Sequence, residues 1–145
     1  MERNREVINP AISNDEVRAS SRGKREFFQY GVVITFTSTN QVLTVPTNVE
    51  ADSDFYWEML TGTNTDTTSP QVNGGSLLQF RDSGSGRLLS KIAIPFSDTV
   101  GTAQRPYVLP NPYTFQRAGT IEVIATNQGI AAQVVRLTFH GQKLF

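Results

Sequence analysis

One imidazole, one serine between two glycines, one run of alternating carboxylates and one tryptophan are the residues whose types and spacing could do chemistry. His140 is the only histidine and lies five residues before Phe145. As a general base it would need an activated nucleophile, and no serine sits in the Gly-x-Ser-x-Gly strand-to-helix setting that presents one. Ser85 stands between Gly84 and Gly86, but strand patterns flank it on both sides, so it reads as part of a hairpin turn. His140 therefore reads as a strand-face or interface residue, and no catalytic residue is assigned. Glu50, Asp52 and Asp54 alternate. In an extended segment they would aim three carboxylates to one side and attract Ca²⁺ or a basic neighbour. Counted from Asp52, the sixth and twelfth positions of a calcium loop hold Trp57 and Thr63 in place of Gly and Glu. The cluster thus reads as a solvated edge or a salt-bridge contact, and neither metal nor cofactor is assigned. Tyr56 or Trp57 would bind a sugar face if exposed, but an aromatic at a period of two belongs to a core.

The absence of Cys removes disulfides, thiolate metal sites and thiol nucleophiles. No phosphate loop or dinucleotide fingerprint occurs. Thirteen basic residues balance thirteen acidic ones, and Arg81, Arg87, Lys91, Arg105, Arg117 and Arg136 are scattered singly. No basic stripe is present to contact nucleic acid, so no direct nucleic-acid partner is expected. The longest apolar stretch, 31–36, is about a third of a membrane-spanning helix, so no membrane partner is expected either. The charged start, Met1 to Glu6, is not followed by an apolar stretch, and no secretory signal is expected.

The elements that must position these residues fall into two parts. Residues 1–26 hold 11 of the chain's 26 charged side chains and few large apolar ones, which marks a charged arm. Within it, Ser13 and Glu16 form a capping box and Ile12 and Val17 a hydrophobic staple, predicting one short helix from about Asn14 to Ser21. Any helix is expected there. From Phe27 to Phe145 the texture is that of strands. Val32, Ile34 and Phe36 alternate with Val33, Thr35 and Thr37, and a hairpin at Ser38 to Asn40 leads into Val42 to Val45. Pro46 ends that strand or holds it at a sheet edge. Asp54 to Leu60 puts Phe55, Trp57 and Met59 on one face at the centre of the core. Residues 62–75 read as a long polar loop, 76–82 and 87–94 as strands around the Ser83 to Gly86 hairpin. Residues 95–118, with four prolines, read as an extended crossing anchored by Tyr107, Leu109, Tyr113 and Phe115. A final hairpin joins 120–126 through Asn127 to Gly129 to 131–140. The fold expected is all-β: an antiparallel two-sheet sandwich, jelly-roll-like, with an extended N-terminal arm.

Three stretches resemble small virion proteins of tailed bacteriophages: Ala51 to Trp57, Gly101 to Tyr107 with Leu109 to Pro112, and Val135 to Phe145. The resemblance covers about four-fifths of the chain and carries no catalytic signature. It implies a capsid cement or decoration subunit that is not an enzyme, resides in the virion, and binds the major capsid protein or another virion protein. It also implies a homo-oligomer, a trimer first. The candidate interface residues are Arg3, Arg5, Arg18 and Arg22 on the arm with Arg105, Tyr107 and Tyr113 on the crossing. A neck or tail role, or a carbohydrate- or receptor-binding sandwich, is the alternative.

Overall fold

The computed structural model describes residues 23–66, 75–129 and 132–145, without the side chains of Thr65 and Asp66. Among the described residues nine strands form: β1 (Arg25–Phe36), β2 (Val42–Asn48), β3 (Asp54–Asp66), β4 (Ser76–Asp82), β5 (Arg87–Leu88), β6 (Ile94–Pro95), β7 (Tyr107–Phe115), β8 (Thr120–Asn127) and β9 (Gln133–Leu144). One sheet runs β1-β9-β3-β7 and the other β2-β8-β4-β5, with β6 also on β4. Every strand pair is antiparallel. With β5 and β6 taken as one interrupted strand, this is the eight-strand order of a jelly roll.

The strands arise where apolar residues alternate with polar ones. In β1, Tyr30, Val32, Ile34 and Phe36 are buried while Gln29, Gly31, Val33 and Thr35 face out. In β9, Val135, Leu137 and Phe139 face the core. The two inner faces meet in a core rich in aromatic rings. Trp57 packs on Phe139 at 4.9 Å between centroids and edge-on against Phe80 at 5.5 Å, and Tyr30 packs edge-on against Phe55 at 4.8 Å. Such edge-to-face pairs suit the positive rim and negative face of the rings.

Neither expected outer hairpin forms. β1 pairs with β9 and β2 with β8, so the turn at 38–41 carries the chain from one sheet to the other. The turn after Asn127 does the same, since β8 and β9 lie in opposite sheets. The β4–β5 hairpin does form, with Gly86 at φ 73° in its turn. Pro46 stands within β2, which is a sheet edge as its missing N–H requires.

Four boundaries also differ. β1 begins at Arg25, within the stretch read as the arm, and Gly23 and Lys24 extend its ladder by hydrogen bonds with Phe145. β3 runs on through 62–66, where a loop was expected; 67–74 of that loop, the predicted helix at 14–21 and most of the arm lie outside the described residues. Residues 87–94 do not form one strand but β5, a bend and β6. The crossing holds a four-residue helical turn, α1 (Phe96–Thr99), and the nine-residue strand β7, so the one helical turn described lies outside the first 26 residues.

A bulge corrects the face assigned to Met59. Trp57 faces Gly141 of β9, yet Met59 faces His140, so Glu58 is an extra residue. The alternation flips phase there, and Leu60 rather than Met59 is buried. Gly141 permits this: a Cβ at that position would collide with the Tyr56 carbonyl oxygen.

Candidate functional site

Two strand interruptions face each other across one side of the sandwich. Along β7 the register on β3 pairs Trp57 with Tyr113 but Met59 with Val108, so residues 109–112 leave the ladder opposite the single residue Glu58. Pro110 and Pro112 lack the N–H groups that a ladder needs, which is the physical reason for the excursion. In the other sheet β5 and β6 both pair with β4 and the Leu89 N–H still donates to the Phe80 carbonyl, but 90–93 bend away between them. Between these two gaps opens a cavity of about 440 Å³, within the range of small-ligand and side-chain pockets.

Trp57, Leu78 and Phe80 form its floor, Leu89, Ser90 and Ile94 one wall, and Tyr107, Leu109, Asn111 and Tyr113 the other, with Asp98 and Thr99 of α1 at the mouth. Trp57 is fixed by its Nε1–H, which donates to the Met59 carbonyl oxygen at 2.8 Å. Tyr113 is tied across the two sheets: its hydroxyl donates to Oδ2 of buried Asp82 at 2.8 Å, while the Gly84 N–H donates to Oδ1 at 3.0 Å. Burial, then the bond to Asp82, holds the Tyr113 hydroxyl above the usual tyrosine range. Asp98, Asn111 and the Tyr107 hydroxyl have no hydrogen-bond partner among the described residues.

Of the expected interface residues, Tyr107 and Tyr113 meet in this cavity. Arg105 is exposed beside it on a tight turn, closed by the Thr102 N–H to the Arg105 carbonyl and the Arg105 N–H to Thr102 Oγ1. Gly101 allows that turn to close, because a side chain there would strike the backbone of 105–107. Arg3, Arg5, Arg18 and Arg22 lie outside the described residues.

The other chemically suggestive residues resolve into separate contacts. His140 sits on the outer face of the first sheet between Gln29 and Thr61, with Nδ1 2.8 Å from Gln29 Nε2 and Nε2 2.7 Å from Thr61 Oγ1. Ser85 donates to the Asp82 carbonyl at 3.5 Å and its side chain also hydrogen-bonds Tyr113, so neither partner is the imidazole. The three carboxylates do not act together, because 51–52 form a turn and not an extended strand. Glu50 and Asp52 converge on Lys143, whereas Asp54 pairs with Arg117 at 3.1 Å.

Lys143 was not singled out by sequence reasoning. Its side chain is 8% exposed and its ammonium lies over the Phe28 ring at 4.3 Å. The bond to Glu50 raises its pKa above the usual lysine value, and a hydrogen bond from Ser53, then the Lys143 charge, lowers that of Asp52. Among the described residues no group of three or more His, Asp or Glu side chains is placed to hold a metal ion. No helix among the described residues is long and apolar enough to cross a membrane. Compared with the patterns of known families, with curated proteins and with solved structures, the chain matches none.

Proposed function

We propose that this chain is a non-enzymatic structural subunit of a tailed-phage particle, a cement or decoration protein that bridges neighbouring capsid subunits. The observation that carries this reading is the aromatic cavity framed by exposed apolar side chains. Ile92 is 66% and Val108 61% exposed on the two segments that flank it, with Leu88 and Tyr107 also exposed. A pocket with aromatic walls and an apolar surround is the form in which protein interfaces hold an anchoring side chain. Arg105 stands exposed on the turn that leads into Tyr107, and a charge so placed orients a partner more than it tightens the contact.

The test uses particles of the encoding phage assembled without the chain. Purified chain added back binds saturably at symmetry-related sites on the head, and Tyr107→Ala together with Ile92→Asp lowers occupancy at least about tenfold. No binding of the wild-type chain to heads overturns the proposal.

The second reading, a carbohydrate-binding module, is favoured by the side chains of Asp98 and Asn111 and the Tyr107 hydroxyl at the same cavity, which have no hydrogen-bond partner among the described residues. Sugars present C–H faces to aromatic rings and hydroxyls to carboxylates and amides. Binding to a glycan array that shifts the Trp57 indole resonance, with none to heads, selects that reading.

A further inference from the structure

Of the four sheet edges, three are closed to further strands by their own sequence and one is open. β2 carries Pro46, β7 carries Pro110 and Pro112, and β5 is two residues long beside the Pro95 of β6. These are recognised ways of blunting an edge. β1 has none of them. It is twelve residues long, pairs only with β9, and among the described residues makes no backbone hydrogen bond along its other side. From Phe27 to Phe36 it has neither a charged residue nor a proline.

Two further features point to an approach from outside. Phe27 is 71% and Val33 56% exposed on its outer face. Gly31, between them, has no internal reason to be glycine: its φ is not positive, and a Cβ would meet nothing within 4 Å. A glycine inside a strand often marks a bulge or bend, crowding, or the close approach of another backbone; β1 pairs with β9 in unbroken register, and crowding among the described residues is absent.

We infer that β1 is a self-pairing edge, joined antiparallel to β1 of a second copy across a two-fold axis at Tyr30. The inference rests on neither functional reading above. Antiparallel pairing of identical strands is self-complementary, which a two-fold interface requires. Of the registers that keep outer faces together, this one sets Phe27 opposite Val33 of the second copy, twice by symmetry, and Gln29 opposite Gly31. It covers the two exposed apolar side chains, places no like charges opposite each other, and uses the missing Cβ of Gly31 beside the axis. The two four-stranded sheets become one of eight strands.

Sedimentation of the full chain tests this. Wild type is a dimer. Phe27→Glu with Val33→Glu sets carboxylates face to face at both symmetry-related positions and raises the dissociation constant at least about tenfold. Phe27→Lys with Val33→Glu restores the dimer and makes it salt-sensitive. A wild-type chain that is monomeric or trimeric, or a Glu/Glu variant that dimerises like wild type, overturns the inference. Both sites are exposed, and far-UV circular dichroism checks the fold. Should the Glu/Glu variant not fold, a mixture of Phe27→Cys and Val33→Cys chains decides. The chain has no other cysteine, so oxidation crosslinks the mixture and neither variant alone; a dimer whose mixture gives no crosslink refutes the register.

Discussion

Lys143 shows how one side chain can close an end of the sandwich. It brings the last strand to the 50–53 turn by pairing with Glu50 and Asp52 while its ammonium lies over Phe28. The pKa shifts give the pH dependence its sign. Asp52 is lowered, so its contribution is complete above the ordinary carboxylate range and is lost as pH falls through the folded value. Lys143 is raised, so its contribution is complete below the ordinary lysine range and is lost as pH rises through its folded value. In Lys143→Met the Asp52 carboxyl moves back up, and the acid limb of unfolding shifts to higher pH; an NMR titration of the Asp52 carboxyl carbon reads it. An unmoved titration means Ser53 alone sets the shift. Trp57, two ladder positions along and 4% exposed, anchors the core. Trp57→Ala costs about 3–5 kcal/mol, because lost transfer energy and an unfilled void add, and the void joins a cavity that already exists. A near-neutral urea midpoint would take Trp57 out of the core.

At the scale of elements, the bulge in β3 sets which residues the core receives. Glu58 shifts the phase from Trp57 to Leu60, and Gly141 on β9 makes room for it. Gly141→Ala therefore costs about 3 kcal/mol, the upper end of ordinary overpacking, in equilibrium unfolding; wild-type stability would mean the bulge yields freely. The same element explains what the sequence could disclose. Alternation at a period of two identifies β1, β4, β8 and β9, because one face of each meets the core. It is silent about the partner strand. Ser38 to Asn40 and Asn127 to Gly129 have hairpin composition, yet both turns cross between sheets, since local chemistry reverses a chain without choosing its sheet. The bulge hides in a run that still alternates, so Met59 was placed where Leu60 lies. The cavity was half legible. Pro110 and Pro112 announce an irregular segment with Tyr107 and Tyr113 as its anchors, but the gap at 90–93 facing it, and the Asp82 that ties Tyr113 down, come from another sheet.

For the whole molecule, the cavity and the open edge lie on opposite sides of the sandwich. β7 and β5 end the two sheets on one side, β1 and β2 on the other. Under the proposed function, a subunit with two such sides holds a second copy through one while docking to a capsid neighbour through the other, and joined weak contacts then act together. The charged segment before β1 adds a third connection in this scheme. Twenty-two residues reach at most about 75 Å when extended, against a radius of gyration of about 14 Å for the folded part, so they can cross a neighbouring subunit. Arg3, Arg5, Arg18 and Arg22 against Glu2, Glu6, Asp15 and Glu16 suit a surface of both signs. Deletion is placed at 1–22, because Gly23 and Lys24 already bond to Phe145. The shortened chain keeps its melting temperature within about 2 °C, since no described core residue is removed, and keeps its β1 pairing. It binds heads at least about tenfold more weakly, because one of the linked contacts is gone. Calorimetry and occupancy on particles read the two effects separately. Unfolding of the shortened chain would make the arm part of the core, and undiminished occupancy would place all attachment in the sandwich.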